Sequence, residues 1–471
     1  MIVEPRFASI LIILTAGGFV LTTSRYRGSS EQGPIAVDIL DQVENEEYNV
    51  SAIQNVYNYC HAQRPAMDTY PGPKIGGSTL VNSQLFIRHG DRTPTTVLSR
   101  DLDVTWECAN TSAYAFTGIG TDQGEKAPFQ YANVVAHQVI TIPPTSPFAA
   151  TKMWKGSCIP GQLTPVGAMQ HRKLGAALRQ IYVDELKFLP AAFDPETVHI
   201  RSTDVWRTKQ SAENLMAGLY GVQSHSPESP PPALQIHILP TEIDYLTMNT
   251  EACPRISQLR AKVEKSSEVL KKLRKDNADF NKELAEILGE ERSWSGYMDS
   301  VMPRICHGME LQCRQGQGED GDKCITPQIA NRILENVGIE TTEIYRDGKG
   351  VFEVLQLGFG PLINDIKQNL LKAKANGEIR FSFYSGHDTT VSPLLGVLDA
   401  LDQRWPPYAS NVLIELWKSP GGQHYVRVLY NGAILPTKAN WCDLEWCPLD
   451  AFISYIDSYI IEDLTTSCKK E

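Results

Sequence analysis

Arg88-His89-Gly90-Asp91-Arg92-Thr93-Pro94 sets a histidine between two permanent cations, directly after the apolar run Leu85-Phe86-Ile87. An imidazole can accept a phosphoryl group covalently, and guanidinium forks neutralise the non-bridging oxygens and hold the group in line for displacement. Gly90 lets the backbone approach an anion, and Pro94 can open the first turn of a following helix. A single histidine at the end of a strand is more often structural than catalytic, so this chemistry needs a second segment.

That segment is Ser385-Gly386-His387-Asp388-Thr389-Thr390, which follows the strand-like run Arg380-Phe381-Ser382-Phe383-Tyr384. A phosphomonoester alkoxide is a poor leaving group, and a carboxylic acid such as Asp388 on its oxygen lowers the barrier. No metal or other cofactor is needed for this chemistry. Together the two segments resemble the signatures of the histidine acid phosphatases, a branch of the phosphoglycerate-mutase-like superfamily. The resemblance implies that His89 is the nucleophile, that Asp388 protonates the leaving group, and that His387 donates to the phosphoryl oxygens with Arg88 and Arg92.

A third segment, Arg201-Ser202-Thr203-Asp204 followed by Arg207-Thr208 and Ser211-Ala212, resembles the family's remaining phosphate-binding stretch. Arg201 follows the β-branched run Val198-His199-Ile200 and is the expected third phosphate-binding cation. Arg207 lies three residues after Asp204 and reads as one half of a helix-face ion pair. In Gly161-Gln162-Leu163-Thr164-Pro165-Val166-Gly167, Thr164 reads as an N-cap and Pro165 as N1 of a helix. His171, inside that helix, reads as structural. Trp405-Pro406-Pro407-Tyr408, Glu415-Leu416-Trp417 and Arg427–Gly432 also resemble the family and read as a hairpin that closes the sheet. The similarity runs over about residues 80–455.

The residues that must position this chemistry sit in a 471-residue chain, 42% hydrophobic, long enough for one large α/β domain plus an insertion. The expected fold is α/β: a mostly parallel sheet flanked by helices, with an inserted, mainly helical subdomain and ligands outside the strand carboxyl ends. The phosphatase core is expected at 56–220 and 351–471, and the helical insertion at 221–350. Within that insertion, Leu259, Val263, Val269, Leu270, Leu273, Phe280, Leu284, Ile287 and Leu288 recur at helical spacing, with a break near Asp276-Asn277. The family resemblance implies that this insertion, a helical subdomain over the active site in relatives, sets substrate access.

Lys and Arg number 44 against 55 Asp and Glu, a net charge of −11, and no basic tract points to nucleic acid. Residues 7–21 form an apolar run flanked by Arg6, Arg25 and Arg27, so 1–23 reads as a signal peptide or a signal anchor, with 24–55 as a polar stem. The ten cysteines and the sequons at Asn49 and Asn110 agree with a lumenal or extracellular site, the Golgi and the vacuole or lysosome among them. None of the cysteines forms a close C-x-x-C metal pattern. Cys442 and Cys447 resemble a local disulfide of relatives. Gln315 to Asp322, between Cys313 and Cys324, lacks an EF-hand ligand pattern and reads as a disulfide-bounded loop.

The function that follows is a phosphomonoester hydrolase working through a phosphohistidine, with a small-molecule or glycan phosphomonoester as substrate. Alternatives of other classes are a silent relative that only binds a phosphorylated ligand, and a phosphotransferase or mutase. The N-terminal segment, Cys60 and Glu415-Leu416-Trp417 resemble the acid-phosphatase-like group that acts on 2-phosphoxylose, whereas Arg201-Ser202-Thr203-Asp204 resembles general acid phosphatases. A phytase-like specialisation also stays open, as does the oligomeric state.

Overall fold

The computed structural model describes residues 58–109, 111–114, 153–221, 234–316, 321–438 and 440–469. The apolar run at 7–21, the polar stretch at 24–55 and the two sequon asparagines lie outside those residues.

The strands of the central sheet are β1 (Thr79–Arg88), β2 (Val198–Ser202), β3 (His237–Ile238), β4 (Phe381–Gly386), β5 (Asn411–Lys418), β6 (His424–Tyr430), β7 (Ala433–Ile434) and β8 (Cys447–Pro448). Their order in space is β7-β6-β5-β1-β4-β2-β3, with β8 paired to β6. The strands that lead into the three motif segments are parallel: Arg88 lies opposite Gly386, and Ser385 opposite Ser202. Across β1 the sheet turns antiparallel, because the Trp405–Gly432 stretch returns as the β5–β6 hairpin. The parallel arrangement therefore covers the half of the sheet that carries the site, and the other half is antiparallel.

The α-helices are α1 (Pro165–Leu178), α2 (Trp206–Tyr220), α3 (Arg255–Ser266), α4 (Glu268–Asp276), α5 (Ala278–Leu288), α6 (Trp294–Cys306), α7 (Pro327–Thr342), α8 (Val351–Lys374), α9 (Asp388–Val397), α10 (Leu449–Asp457) and a short last one, α11 (Leu464–Lys469). Strand alternation divides the core between the two faces of the sheet. Leu85, Ile87, Phe381 and Phe383 pack with α1 and α2 residues such as Leu174 and Leu215. Phe86 and Tyr384 point the other way, stack with ring centroids 4.6 Å apart, and meet α8 and α9. Thr164 caps α1 by accepting the Gly167 N–H at 3.2 Å, with Pro165 in the first turn. Helices α1 and α2 touch backbone to backbone: a Cβ on Gly175 would lie 2.0 Å from the Leu215 carbonyl oxygen.

Helices α4 to α7 build a second core from Leu270, Phe280, Leu284, Tyr297, Val301 and Ile333, which also takes in Tyr59, Leu98 and Tyr408. The α4–α5 break falls at Asn277, whose amide donates to the Leu273 carbonyl and whose oxygen accepts from Arg332. Val263 packs instead with the main core, and Val269 is exposed.

All ten cysteines are paired, as Cys60–Cys306, Cys108–Cys158, Cys253–Cys468, Cys313–Cys324 and Cys442–Cys447. Such pairing suits an oxidising, extracellular or lumenal compartment. Among the described residues no helix is long and apolar enough to cross a membrane.

Candidate active site

Because β1, β4 and β2 end in register, His89, His387 and Thr203 emerge side by side from the sheet edge. The His89 N–H donates to Gly386 O at 3.0 Å, and the Thr203 N–H to Ser385 O at 3.2 Å. The rings of His89 and His387 meet edge to face with centroids 5.6 Å apart. Nδ1 of His89 lies 2.8 Å from the Gly90 carbonyl oxygen. A carbonyl only accepts, so the proton sits on Nδ1 and the lone pair on Nε2. Burial, reinforced by Arg207, Arg88 and Arg92, pushes the His89 pKa well below the ordinary histidine range, which keeps this nitrogen nucleophilic in acid.

Arg88 is wholly buried, with its guanidinium 4.4 Å from the Tyr408 ring centroid and 5.1 Å from that of Tyr59. It donates to Pro406 O at 2.6 Å and to the Tyr59 hydroxyl at 2.9 Å, and pairs with Asp388 Oδ2 at 3.0 Å. Arg92 is held by Asp299 at 2.5 Å and by the Thr93 carbonyl at 3.0 Å. Asp299, on α6, also accepts from the Thr95 N–H and hydroxyl.

Neither arginine of the third segment has the neighbours expected of it. Arg201 stands one residue before the end of β2, and alternation aims its side chain away from the Val198–Ile200 face. There it pairs with Asp244 at 2.9 Å and Asp365 at 3.3 Å and stacks over Tyr245. Arg207 is not paired with Asp204, which instead accepts from Lys209 at 2.7 Å. Asp204 precedes α2, so the helix-face geometry assumed for that pair does not exist. In the first turn of α2, Arg207 turns inward and its Nη2 lies 3.4 Å from His387 Nδ1. Burial first, then the neighbouring Arg92 and Arg88, push its pKa down to about 10, against the opposing pull of Asp388 and Asp299.

Because Arg207 only donates, His387 Nδ1 accepts, and its Nε2–H donates to Thr203 Oγ1 at 3.0 Å. Burial and Arg207 take the His387 pKa down to about 3. Asp388 opens α9. Burial alone would raise its pKa, but Arg88, Arg92, His387 and Arg207 outweigh it and hold the carboxyl below its ordinary range. His171 is wholly buried within α1.

Sequence reasoning missed Tyr59, Tyr408, Thr203, Asp299 and His307. Asp299 had a signal: it is the single acid in the otherwise uncharged start of α6, Trp294–Met302.

The chain belongs to the histidine phosphatase superfamily (branch 2), whose family profile matches residues 79–301 and 340–431. Within that class it is a histidine acid phosphatase, a phosphomonoester hydrolase. Its relatives include the lysophosphatidic acid phosphatase type 6 of Homo sapiens, 26% identical over 80% of this chain and 83% of that protein. The 2-phosphoxylose phosphatase 1 of Homo sapiens is 25% identical over 84% and 81%. The prostatic acid phosphatase of Rattus norvegicus is 30% identical over 65% of this chain and 80% of its own. In fold, the chain is similar to the phytase of Citrobacter braakii, with a TM-score of 0.50 and 14% identity over 82% of this chain and 99% of the phytase.

Proposed function

We propose that the reaction runs through His89 Nε2. The imidazole attacks phosphorus as the ester P–O bond breaks, and Asp388 gives its proton to the departing alkoxide. Water then attacks the phosphohistidine and returns a proton to Asp388, which releases inorganic phosphate and restores His89. Arg88, Arg92 and Arg207 carry the phosphoryl charge. The observation that supports this most directly is the Nδ1–H···O=C bond from His89 to Gly90, which leaves the Nε2 lone pair for the phosphorus. His387 serves as a neutral neighbour of the phosphoryl group, oriented by Thr203 and Arg207.

The relatives named for lysophosphatidic acid and 2-phosphoxylose support an alkyl phosphomonoester as substrate. A secretory route, with residues 7–23 as signal or anchor and glycan at Asn49 or Asn110, fits the fully paired cysteines. The test is an acid-quenched reaction with labelled substrate. The wild type should show an acid-labile phosphoprotein and His89→Ala none; label retained by His89→Ala removes His89 from the role.

A further inference from the structure

Two consecutive residues of the nucleophile's loop are gripped by the same helix. Arg92 is held by Asp299 within α6, and Asp91 by His307, which directly follows α6. The second grip has no part in the phosphoryl-transfer steps. Asp91 is wholly buried, and its Oδ1 accepts from His307 Nε2 at 2.6 Å and from the Thr164 hydroxyl at 2.5 Å. The His307 side chain is 14% exposed, and the Cys60–Cys306 disulfide fixes the backbone beside it.

What Asp91 restrains matters for catalysis. Its N–H and the Gly90 carbonyl belong to one peptide unit. The carbonyl side of that unit accepts the His89 Nδ1–H at 2.8 Å, and the N–H side donates to Gln170 Oε1 at 2.8 Å. Gln170 in turn donates to the Cys60 carbonyl at 2.8 Å, so the disulfide anchors this side as well. A Cβ on Gly90 would sit 2.4 Å from the Gly167 carbonyl oxygen, so the loop has no room to settle elsewhere against α1. The plane of one peptide thus sets the ring orientation of the nucleophile, and the Asp91 carboxylate, held by His307 and Thr164, anchors the residue that completes that peptide.

We infer that His307 is a positioning residue for the phosphoryl-transfer reaction, acting through Asp91 on the peptide that orients His89. This rests on His89 being the nucleophile. The grip depends on charge. Although burial lowers the His307 pKa, the Asp91 carboxylate raises it by more, to a net value above the ordinary histidine range. Among the described residues, Asp91 is the charged group that faces the ring. Trp106 supplies an uncharged ring at 4.9 Å, and Arg304 on α6 turns away to Asp101. Below that raised pKa the imidazolium holds the carboxylate as an ion pair; above it the neutral ring still donates a hydrogen bond to the carboxylate but the ion pair is gone.

The test compares wild type with His307→Ala, His307→Gln, Asp91→Asn and the His307→Ala/Asp91→Asn double variant. The readouts are kcat, KM and the rate of phosphoenzyme formation on an aryl phosphate, measured from acid to mildly alkaline pH. A misplacement of about 1 Å costs on the order of a hundredfold, so His307→Ala should lose about 10- to 100-fold in phosphoenzyme formation with KM little changed. His307→Gln keeps a donor without the charge. Its deficit should be large in acid and should shrink as pH rises and the wild-type imidazole loses its proton. The double variant should be no worse than the poorer single one, because both act through the same contact. Wild-type phosphoenzyme formation in His307→Ala, a pH-independent deficit in His307→Gln, or additive losses in the double variant would each overturn the inference. If the wild type itself forms no phosphohistidine, it is the proposed reaction that fails.

Discussion

Arg88 and Asp388 are joined by a 3.0 Å ion pair across the ends of two parallel neighbours, β1 and β4, so the proposed leaving-group acid is held by the residue that precedes the proposed nucleophile. The pairing has a cost for acid catalysis. A carboxyl held below its ordinary range is ionised over most of the acidic region, yet it must carry a proton to donate one. A bound phosphate dianion reverses the balance: it occupies the arginines that stabilise the carboxylate and adds a like charge beside it.

An acidic optimum for alkyl phosphates follows, with activity lost on the alkaline side as Asp388 gives up its proton in the enzyme–substrate complex. Asp388→Asn should lower kcat on an alkyl phosphate by about 10²- to 10⁴-fold, the usual worth of a positioned acid. An activated aryl phosphate, whose phenolate needs little protonation, should lose far less. Equal losses on both substrates would show that Asp388 positions phosphate or water.

The contrast between Arg201 and Arg207 gives a second expectation. Arg207→Ala should weaken inhibition by phosphate or vanadate by about 10- to 100-fold, the worth of one charge-assisted hydrogen bond, and leave the melting temperature nearly unchanged. Arg201→Ala strands Asp244 in the interior and should destabilise by about 3–5 kcal/mol, with oxyanion inhibition unaltered in the protein that folds. Inhibition constants and thermal melts on the two variants separate these outcomes, and an exchange of the two phenotypes would refute the assignment.

These two arginines also show where the sequence stops being legible. The strand ends at Arg88 and Gly386 could be read from short apolar runs followed by glycine, and the Thr164 cap from its Pro165. These are local signals, and the parallel core and the motif residues beside it rest on them. Arg201 and Arg207 differ only in which way a side chain points, a matter of one residue of strand register and of where α2 begins. Asp299 and His307 reach the loop from about 200 residues away. No local periodicity encodes that contact; it exists because α6 packs its apolar face on Leu98 and Tyr408. The antiparallel half of the sheet was foreshadowed by the hairpin, but its pairing with β1 is again long-range.

Glu213 supplies a stability prediction away from the chemistry. It lies on the buried side of α2, 1% exposed, and accepts the Ala113 N–H at 3.0 Å, which ties the 111–114 segment to the helix. Burial raises its pKa from 4.5 to about 7, against smaller opposing effects from that N–H and from Arg172. Below about pH 4.5 both folded and unfolded chains hold the proton, and the group makes no difference to stability. Between there and about pH 7 the unfolded chain ionises while the folded one resists, so stability falls as pH rises. Above that window the loss levels off at about 3 kcal/mol, since each tenfold difference in proton affinity between the two states is worth about 1.4 kcal/mol. Glu213→Gln keeps an oxygen for Ala113 and removes the ionisation. The variant should therefore melt with the wild type near pH 4.5 and several degrees above it at pH 8. Melting curves at these two pH values decide the matter: a variant less stable than wild type at pH 8 would mean that the carboxylate, once ionised, is better satisfied than its burial implies.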